Sequence, residues 1–155
     1  MTRILIFLLL SMGVLTSCTK EKISNEPDFL IFGHFYGECV GEECVETYKL
    51  TCCDLSEDTR DEYAYPGFNE GNFVPLPDSQ FQKVKDLLLQ VPQVLLDQDS
   101  TRLGQPDAGD WGGIYVEYKK GAFHHKWYID KNDFYLAAKY RPFRDLVEEK
   151  IQLLH

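Results

Sequence analysis

Apolar and polar positions along the chain alternate with two different periods. Residues 29–36 (FLIFGHFY) are apolar and aromatic on both faces, the pattern of a strand buried at the centre of a sheet. Gly33 breaks that run without a side chain and marks a bulge or a close crossing. Residues 37–43 read as a turn, residues 44–52 (CVETYKLTC) as a second strand, and Tyr63 and Tyr65 as part of a short third. Residues 66–77 read as loop. Asp78 is placed to cap a helix whose apolar positions, Phe81, Val84, Leu87, Leu88 and Val91, share one face at 3.6 residues per turn. Pro92 ends it or starts a further short turn through Leu95 and Leu96.

Residues 97–113 are polar and glycine-rich, and read as loop. Residues 114–118 and 123–129 then form a hairpin around residues 119–122, with Gly121 available for a positive φ. The closing helix starts near Arg141. Pro142 suits its first turn, and Phe143, Leu146, Val147, Ile151 and Leu154 make its apolar stripe. The expected class is α+β: an antiparallel sheet of four to five strands with two helices packed on one face, in the order ββ(β)α–ββα. Residues 29–155 are expected to form one globular domain.

The start of the chain follows another rule. Arg3 precedes an unbroken apolar run from Ile4 to Leu10, extended by Met12, Val14 and Leu15. The run is shorter than the ~20 residues that span a bilayer, and small residues close it, as in a secretory signal peptide. Leu15-Thr16-Ser17-Cys18 resembles the lipobox of bacterial lipoproteins. That resemblance implies cleavage after residue 17, a lipid on Cys18, and a polar tether over residues 18–28. Thr19 stands where an Asp would imply retention in the inner membrane, so the outer membrane of the envelope is the expected address. Cleavage would take Arg3 and no acid, moving the net charge from −9 to −10.

That acidity argues against a nucleic-acid partner, which needs clustered Lys and Arg to meet phosphates. Nine Tyr, ten Phe and two Trp in 155 residues argue equally against a disordered chain. The 32–50 segment, the helix over residues 81–96, the Asp-rich turn before the hairpin, the WYID strand end and the closing RPFRDLVEEKIQLL together resemble a group of small lipoproteins from Bacteroidetes. The resemblance covers most of residues 29–154. It brings no activity and no site residues with it.

Four cysteines remain after Cys18. In one strand, Cys44 and Cys52 would lie roughly 27 Å apart at about 3.4 Å per residue, so neither Cys44 nor its turn neighbour Cys39 reaches Cys52. Cys39–Cys44 is therefore the expected disulfide. A zinc site from His34, Cys39 and Cys44 fits poorly, because Cys-x4-Cys lies at the edge of ligand spacings and no second Cys-His pair follows. Cys52 and Cys53 are left as free or buried thiols, a strained vicinal pair, or intermolecular partners.

Asp107, Asp110 and Trp111 lie with three glycines in seven residues, a loop with the means to cradle a cation or a sugar. The plainer reading is a turn whose Asp side chains bond the backbone while Trp111 packs on the hairpin. His124 and His125 are neighbours on a strand and point to opposite faces, which leaves one at the surface and one among Phe123 and Trp127. Gly-x-Ser-x-Gly, His-Glu-x-x-His and P-loop patterns are absent from the sequence. The expectation is a lipid-anchored envelope protein that acts as a binding or interaction module, with no catalytic residue, metal or cofactor. It would contact the membrane through its lipid and a protein or envelope component through its folded body. The competing expectation is a small hydrolase or metal-binding protein using Asp107, Asp110 and His124 or His125.

Overall fold

The computed structural model describes residues 26–62 and 70–155. The α+β class holds, with more strands than the pattern predicts. In chain order the strands are β1 (Phe29–Phe35), β2 (Val45–Leu50), β3 (Leu55–Asp58), β4 (Phe73–Pro75), β5 (Arg102–Leu103), β6 (Gly113–Lys120) and β7 (Phe123–Asp130). They form one sheet in the order β4-β3-β2-β1-β6-β7-β5, antiparallel throughout except for the β5–β7 pair. β1, apolar on both faces, is the middle strand, as its pattern requires.

The expected sheet of four to five strands is thus a seven-stranded mixed sheet. Both additions with weak signals are short. β4 has three residues inside the segment read as the 66–77 loop, and β5 has two inside the polar 97–113 segment. Neither is long enough to display a period. The third strand expected around Tyr63 and Tyr65 lies outside the described residues, and β3 sits earlier, directly after the Cys52-Cys53 turn. Gly33 is not at a bulge: pairing runs unbroken through it to Thr47 and Tyr115. It marks a close approach, since a Cβ there would run into the Glu46 carbonyl.

Three helices accompany the sheet: α1 (Asp78–Val84), α2 (Gln93–Leu96) and α3 (Arg141–Gln152). The single helix expected from Asp78 to Val91 breaks at Val84 into a 3-10 segment, Lys85–Leu89. The break accompanies a competing donor, because the Lys83 carbonyl accepts from Lys150 Nζ at 3.3 Å. Asp78 is not the cap. Pro77 holds that place, and the Asp78 carboxylate instead accepts from Gln82 one turn on, at 3.2 Å. Pro142 occupies the first turn of α3 as its fixed φ favours.

The larger core lies between one sheet face and the helices. Leu30, Phe32, Leu50, Ile114, Val116, Trp127 and Ile129 pack there with Val84, Leu87, Leu95, Phe143, Val147 and Ile151. An ion pair crosses its edge: Lys150 Nζ meets Asp86 at 2.8 Å. Burial works against the Asp86 carboxylate, but the Lys150 bond prevails and holds it below the usual range. The opposite sheet face carries a smaller buried cluster of Ile31, Phe35, Val45, Tyr115 and Tyr128.

Candidate functional site: a pinned loop cluster at one end of the sheet

β1 and β7 end, and β2 and β6 begin, at the same edge of the sheet, because Phe35 pairs with Val45 and Gly113, and Gly113 pairs with Asp130. Three connections meet there: the turn after β1, the loop before β6 and the loop after β7. The first is closed by the Cys39–Cys44 disulfide, whose Cα atoms are 5.5 Å apart. That is the expected pair.

Asp107 ties the first two connections together. One carboxylate oxygen accepts the Gly37 N–H at 2.8 Å and the other the Gly112 N–H at 3.0 Å. Asp107 and Asp110 both hold left-handed backbone, with φ of 60° and 59°, a conformation that Asp tolerates better than most residues. Asp130, fully buried at the end of β7, ties in the third connection. It accepts the Gln105 N–H at 2.6 Å, the Asn132 N–H at 2.7 Å and the Trp111 indole N–H at 3.1 Å. Gly104, at φ 81°, must be a glycine, since a Cβ would strike the Asp130 side chain. The loop after β7 is clamped from α3: Arg144 donates to the Lys131 carbonyl and to Asp133, both at 2.6 Å, and Arg141 donates to the Asp133 carbonyl at 2.7 Å.

This frame presents aromatic rings. Trp111 lies parallel to Tyr135, with centroids 5.8 Å apart and 13° between planes. Phe134 meets Tyr135 edge-on at 4.9 Å and is 85% exposed. The sequence singled out Asp107, Asp110 and Trp111. Of these, Asp107 spends both oxygens on the backbone, Asp110 is exposed, and Trp111 joins the ring cluster. Phe134 and Tyr135 were missed, because nothing in the sequence of a short polar loop reports which neighbour its rings will meet.

Beside the loops is a cavity of about 200 Å³ lined by His34, Tyr36, Lys131, Glu148, Gln152 and His155, among others. Lys131 donates to the Tyr36 hydroxyl at 2.6 Å and pairs with Glu148 at 3.2 Å, while His155 pairs with Glu46 at 2.7 Å. A signal for this cavity was present. The two-residue period puts His34 on the helix-side face behind Leu30 and Phe32, a polar ring in an apolar stripe. Its Nε2 sits 3.0 Å from the Glu43 carbonyl, so it joins Cys39 and Cys44 in no metal site. Among the described residues, no group of three or more His, Cys, Asp or Glu is arranged to hold a metal.

His124 and His125 face opposite ways. His125 packs at 4.8 Å on Trp127 and near Phe123. His124 pairs with Glu117 at 2.7 Å on the other face. Glu117, only 3% exposed, also accepts the Tyr115 hydroxyl and stands opposite Lys126 across the β6–β7 pair. Burial pushes the Lys126 ammonium below the usual lysine range, and Glu117 pulls the other way. His124 pairs in register with Lys119, six residues from Gly113 along β6, so roughly 20 Å of strand separates it from the Asp107 loop. The structure does not bring the Asp107–Asp110 loop and the two histidines together. No protein-family model, no curated protein and no solved structure matches this chain.

Proposed function

We propose that this chain is a lipoprotein of the bacterial cell envelope, anchored through Cys18, whose folded body works by contact with a protein or another envelope component. The anchor rests on the apolar run and Leu15-Thr16-Ser17-Cys18, and the outer membrane on Thr19 in place of Asp. The contact reading rests on one observation: Phe134 and Tyr135 stand exposed beside half-buried Trp111 on loops held by Asp107, Asp130, Arg144 and a disulfide. Rings that are already immobilised lose little rotamer entropy on binding, and they supply large apolar area. The long separation between the Asp107 loop and His124 favours contact over a hydrolase built from those residues.

Two variants test the two halves of this reading. Cys18→Ser should leave the membrane fraction, and the wild-type N-terminus should carry acyl chains by mass spectrometry. A Phe134→Ser, Tyr135→Ser double variant should remain folded and anchored but lose the envelope partner recovered with wild type. Retention of that partner, alongside loss of function in Asp107→Ala or His124→Ala, would replace the contact reading with an active site.

A further inference from the structure

The two cysteine pairs of the folded body differ in kind. Cys39–Cys44 is closed and sits within the loop cluster. Cys52 and Cys53 are free thiols, both exposed, in the turn between β2 and β3 at the opposite end of the sheet from the loop cluster. Their sulfurs are 2.8 Å apart, within about 1 Å of the ~2.05 Å length of a disulfide bond. The turn holds them there through its own backbone. Thr51 N–H donates to the Asp54 carbonyl at 2.9 Å, and the Thr51 hydroxyl oxygen accepts the N–H groups of Cys53 at 3.2 Å and Asp54 at 3.1 Å.

We propose that Cys52 and Cys53 form a redox-active vicinal dithiol that exchanges with small-molecule disulfides. The Cys53 thiolate attacks one sulfur of R–S–S–R, forming the mixed disulfide Cys53–S–S–R and releasing one thiolate. Cys52 then loses its proton and attacks the Cys53 sulfur, forming Cys52–S–S–Cys53 and releasing the second. Two protein thiols are oxidised, one disulfide is reduced to two thiols, and the two protons end on those thiols. The hydrogen bond to Cys53 holds the Cys52 thiol above the usual cysteine range, with the carboxylates of Glu26 and Asp54 adding to it. Cys52 therefore keeps its proton longer, which suits it to the second, ring-closing attack. Adjacent Cα atoms lie about 3.8 Å apart, short of the usual disulfide span of at least about 4.4 Å. The ring that closes is strained, and it reopens more readily than Cys39–Cys44. The proposal does not depend on the anchor or on the aromatic cluster.

The test treats the full chain with glutathione disulfide and reduced glutathione in graded ratios, then alkylates it and maps peptides by mass. The expected result is a peptide holding both cysteines that loses two hydrogens and retains no glutathione. Reduced glutathione should reverse this at ratios that leave Cys39–Cys44 intact. Cys52→Ser should trap one glutathione on Cys53. An intact Cys39–Cys44 bond and an unchanged circular dichroism spectrum confirm that this variant is folded. Three results would each overturn the proposal: wild type keeping glutathione on either cysteine, a disulfide-linked dimer in its place, or Cys52→Ser acquiring no adduct under the ratios tried.

Discussion

The two faces of the sheet are built from the same strands and bury their residues by different means. Toward the helices, every strand except β4 contributes apolar groups, and Leu30, Phe32, Ile114 and Val116 share one core with Val84, Phe143 and Val147. On the other face, five apolar residues are set among buried Thr47, Asp58, Glu117, Lys126 and Asp130. A buried polar group costs stability unless its hydrogen bonds are made. Here they are made locally and specifically. Asp58 accepts the N–H groups of Arg60 and Asn72, Asp130 accepts three donors, and Glu117 accepts from Tyr115 while pairing with His124. The helix side therefore owes its stability to volume, and the other side to the identity of individual acceptors.

That contrast is open to direct attack. The largest effect is expected on the helix side, where Phe32→Ala should destabilise the fold by about 4 kcal/mol through lost transfer energy and an unfilled cavity. Urea unfolding measures it, and Phe32→Leu should recover most of the loss if volume is what matters. On the other face, Glu117→Ala should cost about 3 kcal/mol, because it strands the Tyr115 hydroxyl and removes the carboxylate opposite a buried lysine. Glu117→Gln preserves volume and an acceptor but not the charge. If it matched wild type, the charge of this cluster would be irrelevant and the contrast would collapse to packing.

The smallest effect concerns pH. Lys150 holds the folded Asp86 carboxylate below its unfolded value near ~3.9, so its contribution is present above that value and is lost as pH falls through the folded one. The Asp86 side chain is about half exposed, which limits the contribution to below about 1 kcal/mol. Asp86→Asn should therefore flatten the acid limb of the stability profile slightly and leave the neutral plateau lower by the same small amount.

The two faces were also unequally legible in the sequence. The helix-side core could be read in part, because period two through Trp127 and Ile129 in β7 and the stripes that start at Phe81 and Phe143 mark residues that end up together. The Cys39–Cys44 bond was legible because a strand of known rise excludes the alternatives. The polar face was not. Glu117 and Lys126 look like the solvent side of an amphipathic hairpin, and only the tertiary fold buries them. Asp107 was singled out for its chemistry, and the plainer of its two readings, a carboxylate that bonds the backbone, matches the geometry. Phe134 and Tyr135 gave no signal, since Trp111, the ring that Tyr135 stacks on, lies 24 residues away in sequence.

The central claim is that the exposed rings at the loop end are where this protein meets its partner. A photo-crosslinking residue at position 134, in full-length protein anchored in living cells, tests it most directly. Leu89, 70% exposed in the segment after α1, is the matched control. The account predicts a discrete crosslinked adduct from position 134 that is absent from position 89 and is lost when Trp111 and Tyr135 are replaced by Ser. Equal labelling from both positions, or an adduct from position 89 alone, would contradict it.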